Sequence, residues 1–363
     1  MKRGSFLKKL LPQKTDYIAV DVGTRLTKIA HINSAGEIPQ VISLESMNTP
    51  EGLFKSNTPG GQFVKFFTEI FEENGIKGKE VIMCMTGDRV ITRYVYMPGM
   101  NDKELSRAIQ AEAANSIPVP MSNLSLRYVR LDGEGDSQQD QRIMIVAAPT
   151  DVVLSYHDLF LRAGTKISVM DHAPLALWRV CFGMGEMGME TAAAIDIGAS
   201  YTNIIVSMGQ RLVFSRTLPV GGDIITRSMA ETYSMEFDEA QLYKEERARI
   251  LSSEEAAMAF NPEDMQIDFS LRDGLSELTR EIRRSIEYFN SQSSGNPVQR
   301  LIFSGGTAKL KGFIDFIADA MEVPAGLLKF PVIYLDEQGQ DIPIDPSYAV
   351  AVGLALRGAR QFQ

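Results

Sequence analysis

From residue 16 onward the chain alternates short apolar or β-branched runs with glycine-bearing turns. Runs at 17–22, 26–33 and 38–44 are split by Gly23-Thr24 and Ala35-Gly36, a pattern that predicts a three-stranded antiparallel meander. Gly60-Gly61 then precedes Phe63, Phe66, Phe67, Ile70 and Phe71, the spacing of an amphipathic helix that ends near Gly75. A short run at 81–85 reads as a buried strand. The same pattern recurs later in the chain. Strands are predicted at 192–197, 202–207 and 212–218, and Gly221-Gly222 opens a helix. Residues 223–295 are helix-rich: Asp238 is a candidate N-cap, and Leu275, Leu278, Ile282, Ile286 and Phe289 mark one face of a helix over 275–292. A strand at 301–303 runs into Ser304-Gly305-Gly306-Thr307 and a further helix to about Met321. A last helix is predicted at 349–360.

Between the two meanders, residues 80–148 read as an inserted module. It has a strand at 90–97 closed by Pro98-Gly99, then a helix over 102–116 with Leu105, Ile109 and Ala113 on one stripe, stopped by Pro118 and Pro120. Strands at 124–131 and 142–148 follow, joined by a polar loop over 132–141. A helix at 151–163 and a strand at 166–170 lead back to the first unit, before a Gly/Met stretch at 183–188. The expected organisation is an N-terminal arm (1–14) and a first domain (15–79 and 149–185, with a C-terminal helix in 345–363). The insert (80–148) interrupts that domain, and a second domain (189–344) includes a helical subdomain (223–295).

The recurrence extends to individual residues. Ala19, Asp21, Gly23, Thr27 and Ile29 are repeated as Ala194, Asp196, Gly198, Thr202 and Ile204, at a constant offset of 175. A duplication of this kind implies two similar domains facing one another. Its chemistry suits a polyphosphate. A strand ending in Asp delivers a carboxylate to a cleft, where it can hold magnesium directly or through water. Glycine in the turn lets backbone N–H groups approach an anion, and the next Thr or Ser adds a hydroxyl. The Gly305-Gly306 pair leaves room for a flat ring against the backbone and for a phosphate near a helix N-terminus.

Composition narrows the classes. The 363 residues carry 44% hydrophobic and 23% charged side chains and a net charge of −9, ordinary for a globular chain of about two domains. Cys84 and Cys181 lie far apart, and the three histidines (His31, His157, His172) are scattered. Neither a disulfide framework nor a Cys/His metal centre is expected, and a reduced, cytoplasmic setting fits. No apolar run approaches the ~18 residues of a membrane span, and the acidic balance argues against nucleic-acid binding. The arm is the exception: Lys2, Arg3, Lys8, Lys9 and Lys14 leave the rest of the chain at −14. With Phe6, Leu7, Leu10 and Leu11 at helical spacing, it reads either as a basic amphipathic arm that lies on an anionic membrane surface or on a partner, or as a disordered solubilising tail. P-loop, G-x-S-x-G and H-E-x-x-H signatures are absent from the sequence.

The two Asp-Gly hairpins followed by the Gly305-Gly306 turn resemble the two phosphate loops and the adenosine loop of the actin-like ATPase superfamily, in that order. Within it the chain is similar to the type IV pilus assembly protein PilM family, relatives of the cell-division protein FtsA. The stretch from Ala111 through Glu112, Ile117 and Pro118 to Pro120 matches a family segment, as do Val146-Ala147-Ala148-Pro149 and the segment from Asp171 to Leu177. The resemblance covers roughly residues 15–360. It implies an α/β, actin-like (ribonuclease H-like) fold of two duplicated domains with an FtsA/PilM-type inserted subdomain.

By position it implies that Asp21, Gly23, Thr24 and Lys28 form one phosphate loop and Asp196, Gly198, Ala199, Ser200 and Thr202 the other. Gly305, Gly306 and Thr307 would flank adenine and ribose, with Gly222 and Lys244 near the nucleoside; Lys244 is alternatively a solvated helix charge. The implied cofactors are ATP and Mg2+, the latter on Asp21 and Asp196. Actin-type hydrolysis uses a Gln or Glu after the returning first-domain strand to orient water. Met170-Asp171-His172-Ala173-Pro174-Leu175 contains neither; Asp171 or His172 could substitute, though each reads rather as structural, so hydrolysis is expected to be slow or absent.

The implied partner is the cytoplasmic tail of a PilN-like inner-membrane protein, held in a groove between the insert and the first domain and lined from 90–97 and 105–117. Other inner-membrane and motor components of the pilus machine, and peripheral association with the inner membrane's cytoplasmic face, are further expectations. An FtsA-like filament-forming division protein is an alternative, set back because no linker and amphipathic helix follow the 349–360 segment. A small-molecule kinase on the same scaffold is another, and a chaperone a third, set back because no C-terminal peptide-binding domain follows.

Overall fold

The computed structural model describes residues 15–358 apart from 54–59, 86, 88, 132–140, 184–189, 253, 256–260 and 294. The arm at 1–14, the insert loop but for residue 141, most of the Gly/Met stretch and residues 359–363 therefore lie outside the described residues. The first meander is β1 (Asp16–Val22), β2 (Leu26–Asn33) and β3 (Gln40–Asn48). The third strand starts later and runs further than its apolar run. Its polar end is held by backbone pairing to β2, with Glu45 opposite Ile29 and Ser46 opposite Lys28, and Ile38 is left exposed before it. β4 (Glu80–Met85) adds parallel to β1, and β8 (Lys166–His172) parallel to β4; with β14 (Ile333–Tyr334) at the other edge the sheet is ordered β14-β3-β2-β1-β4-β8.

Two boundaries move accordingly. The insert begins after β4, since Val81 to Met85 are buried inside the first sheet. β14 (Ile333–Tyr334), expected in the second domain, pairs with β3 of the first. The insert is a separate sheet, β5 (Ile91–Met97), β7 (Gln141–Pro149) and β6 (Leu124–Arg130) in that order. Helix α2 (Asp102–Ser116) lies on it with Leu105, Ile109 and Ala113 fully buried; Asn101 and Glu104 cap it reciprocally.

The second sheet is β11 (Arg211–Leu218), β10 (Thr202–Met208), β9 (Thr191–Ile197), β12 (Arg300–Ser304) and β13 (Ala325–Leu327). Each large sheet has an outer helical layer. On the first, α1 (Gly61–Glu73) and α3 (Thr150–Arg162) bring Phe67, Phe71 and Phe160 into one ring cluster with centroids 5.0–5.7 Å apart. On the second lie α5 (Asp223–Tyr233), α6 (Phe237–Arg247), α7 (Pro262–Gln292) and α8 (Phe313–Met321). Between the sheets, α4 (Ala173–Phe182) and α9 (Ala349–Ala355) share one core with Ala19 and Ala30 of the first and Ala194 and Ile205 of the second.

Four expected elements differ. Asp238 is inside α6, whose cap position is Glu236. Helix α7 starts at Pro262, well before Leu275: Leu271 and Ile267 carry its buried stripe further back, while Met265 and Phe269 beside them face solvent. After Gly305 the chain makes only a 3-10 turn, Gly306–Lys309, and the α-helix waits until Phe313, because Gly312 takes φ +81° against the Ile250 carbonyl. The last helix ends at Ala355 and tightens into a 3-10 turn over Leu356–Gly358.

Candidate functional site

β1 and β9 are buried strands, and each delivers its aspartate near its C-terminal end to the same space between the lobes. Asp21 and Asp196 are each 7% exposed, yet both line one cavity of about 620 Å³. The hairpins close in the same way, with Gly23 N–H donating to the Leu26 carbonyl at 3.1 Å and Gly198 N–H to the Tyr201 carbonyl at 2.9 Å. The flanking strands are matched too. Asp21 lies opposite Lys28 on β2 and Cys84 on β4; Asp196 lies opposite Asn203 on β10 and Ser304 on β12. Cys84 Sγ contacts Asp21 Oδ1 at 3.7 Å, and Ser304 Oγ donates to Asp196 Oδ1 at 3.0 Å.

Burial pushes both carboxyls above the usual range. For Asp21 it is opposed by the Lys28 ammonium and the Cys84 thiol. Asp196 is raised to about 6, chiefly by burial and further by the Asp21 charge, against Lys28 and the hydrogen bonds from Ser304 and Asn203. Two buried carboxyls that each resist ionisation, facing one cavity, suit a hard cation. No group of three or more metal-ligating side chains converges among the described residues. Magnesium would therefore take the rest of its shell from phosphate and water, its usual habit.

Gly23, Thr24, Lys28, Gly198, Ala199, Gly222, Lys244, Gly305, Gly306 and Thr307 also line the cavity. Ser200 and Thr202 do not. The Thr202 hydroxyl donates to the Val220 carbonyl at 2.7 Å, and its counterpart Thr27 is bonded to Thr49, so the repeated threonine ties each hairpin to the chain beyond it. Ser200 Oγ donates to Asp223 Oδ2 at 2.8 Å. Gly222 and Gly305 serve close packing. A Cβ at Gly222 would stand 2.3 Å from Thr307 Oγ1, and one at Gly305 2.3 Å from the Ile197 carbonyl oxygen. The 3-10 turn after Gly305 offers no α-helix N-terminus, which removes that part of the phosphate argument.

Lys244 points inward, not to solvent. Its Nζ donates to the Gly222 carbonyl at 3.2 Å and to Thr226 Oγ1 at 2.6 Å, and burial lowers its pKa to about 8. Asp171 and His172 are both engaged by neighbouring side chains. Asp171 Oδ2 takes ion pairs from Arg179 (2.8 Å) and Arg357 (2.9 Å). His172 is held neutral by burial, with a pKa near 4, and its Nε2 lies 3.3 Å from Thr92 Oγ1. Sequence reasoning missed Arg25, Asn203 and Asp223. The repeat offset applied to Lys28 yields Asn203, a signal that was available; Asp223 had none beyond following Gly222.

The family described as "Type IV pilus assembly protein PilM" matches residues 19–359. The cell division protein FtsA of Streptococcus pneumoniae is 23% identical over 223 residues, which are 60% of this chain and 44% of that protein; the chain thus spans under half the length of that relative. A solved PilM-PilN type IV pilus biogenesis complex matches with TM-score 0.80 at 24% identity, covering 96% of this chain and 100% of that one. MreB5 of Spiroplasma citri bound to ADP matches with TM-score 0.53 at 11% identity, covering 95% and 97%. The likenesses show that this is the actin-like ATPase fold.

Proposed function

The chain belongs to the type IV pilus assembly protein PilM family, and from that premise we propose that it is an ATP-binding scaffold that docks the cytoplasmic tail of a PilN-like inner-membrane protein. The observation that carries the nucleotide reading is the convergence of Asp21 and Asp196, from equivalent strands of the two lobes, on one glycine-lined cavity. Mg2+, held by these carboxylates with phosphate oxygens and water, would neutralise the charge of the triphosphate. Lys28, cross-strand from Asp21, adds a positive charge felt by both aspartates, while Lys244 and the glycine loops would supply further donors from the cavity wall. That the MreB5 of the same fold is bound to ADP supports a nucleotide as the ligand.

Hydrolysis is proposed to be slow or absent, because Asp171 is consumed by two arginines and His172 is neutral and packed against Thr92. The nucleotide would act as a clamp between lobes. For the peptide, β5 is an edge strand of the insert, carrying Tyr96 with 70% of its surface exposed. It suits an extended segment that pairs its backbone and buries a few side chains. No helix among the described residues is long and apolar enough to cross a membrane. The proposed route to the inner membrane's cytoplasmic face is the partner, with the basic arm as a second contact.

Calorimetry of the full chain with ATP and Mg2+ tests the first part: binding is expected, and its loss in Asp21→Asn/Asp196→Asn. Absence of heat in the folded wild type overturns it. A synthetic PilN-like tail titrated into the chain tests the second, and phosphate release at chaperone-like or sugar-kinase-like rates would overturn the clamp. The likeness to FtsA supports one alternative, a filament-forming scaffold, which ATP-dependent pelleting would reveal.

A further inference from the structure

Arg25 stands at the tip of the first hairpin and reaches out of its own lobe. Its Nε is 3.7 Å from Asp223 Oδ1, its Nη1 is 3.7 Å from Asp238 Oδ1, and its guanidinium carbon lies 4.9 Å from the centre of the Phe237 ring. All three partners belong to the second lobe, where Asp223 opens α5 and Phe237 and Asp238 open α6. Arg25 and Asp223 both line the cavity. The offset of 175 that relates the hairpins pairs Arg25 with Ser200. Ser200 holds the other oxygen of Asp223. One carboxylate is thus gripped by equivalent positions of the two halves of the repeat.

We propose that Arg25 is an interlobe clasp that sets how long a nucleotide stays in the cleft, an inference that rests on the ATP-binding reading above. Release requires the lobes to part, and parting draws the guanidinium off the Phe237 face and away from two carboxylates. Each contact is individually modest. Partly exposed ion pairs and cation–π contacts together slow opening by about three- to tenfold without locking it. A phosphate ligand is the competing role for an arginine here, and it makes different demands: it needs the guanidinium but not Phe237 or Asp238.

The test is release of a fluorescent ATP analogue from the full chain with Mg2+, chased by excess ATP in stopped flow. Arg25→Ala, Phe237→Ala and Asp238→Asn are each expected to speed release, Arg25→Ala by about three- to tenfold. Arg25→Ala placed on Phe237→Ala should add less than it does alone, because the contact is already gone. If Arg25→Ala alone weakens binding while the other two leave release unchanged, Arg25 is a phosphate ligand and the clasp is wrong. A second measurement needs no nucleotide. Hydrogen exchange across 234–247 in the nucleotide-free chain should quicken in Arg25→Ala, and unchanged exchange overturns the clasp. Failure of the wild type to bind the analogue overturns the ATP reading, and the exchange result then decides the clasp by itself.

Discussion

Asp196 carries the clearest energetic conflict in the molecule. Its carboxyl titrates at about 6 in the folded chain against an ordinary 3.8, so the folded state holds the proton more tightly than the unfolded one. In the ligand-free chain this site's contribution to stability rises as pH falls from above 6 toward 4, and is least where Asp196 is ionised. Asp196→Asn is therefore expected to raise ligand-free stability at pH 7.5 by about 1–3 kcal/mol and to remove that part of the pH slope, read by urea unfolding at several pH values. The same change should abolish Mg-ATP binding, and in the wild type that binding should weaken progressively below pH 6. An unaltered slope in the variant would assign the conflict to another group. A steric prediction joins it: Gly222→Ala forces a methyl into Thr307 Oγ1 at 2.3 Å. It should lower the melting temperature and nucleotide affinity, and Thr307→Ala in the same chain should restore part of both.

At the scale of elements, α4 and α9 decide how the two sheets sit on one another. They cross where Gly353 meets Ala176: a Cβ at 353 would stand 2.0 Å from the Ala176 carbonyl oxygen. Both helices are lined there by Ala, Val and Leu, all buried. Gly353→Ala is expected to cost about 2–3 kcal/mol, since neither backbone can yield without moving a sheet; an unchanged urea midpoint would show that the crossing has slack. The two meanders, the insert and its capped helix were legible because each combined a clean period with a glycine or proline boundary. The paired aspartates were legible because a duplication keeps its spacing. What escaped was set by tertiary contact. β14 was missed because two residues, Ile333 and Tyr334, make no period. The buried stripe of α7 runs back through Leu271 and Ile267, a period that the exposed Met265 and Phe269 beside it obscure in the sequence. Asp238 was read as a cap because capping and a charge partner across the cleft look alike in one dimension.

The whole molecule links the insert to the second lobe by a contact that no local pattern announces. Tyr94 on β5 places its hydroxyl 2.6 Å from Ser215 Oγ on β11, and burial keeps that phenol protonated. Met144 of the insert packs in the same core as Leu212. The strand proposed to receive a partner peptide is therefore bonded to the lobe that carries Asp196. If ATP changes the affinity for a PilN-like tail by some factor, the tail must change the affinity for ATP by the same factor. Two titrations, peptide with and without ATP and ATP with and without peptide, should give matching ratios of about fivefold or more. Tyr94→Phe keeps the ring and deletes the bond, so its ratio should fall to under about twofold while each ligand still binds. A ratio that survives in Tyr94→Phe would move the coupling to the α4–α9 core, which contacts both sheets and would then be the element to vary next.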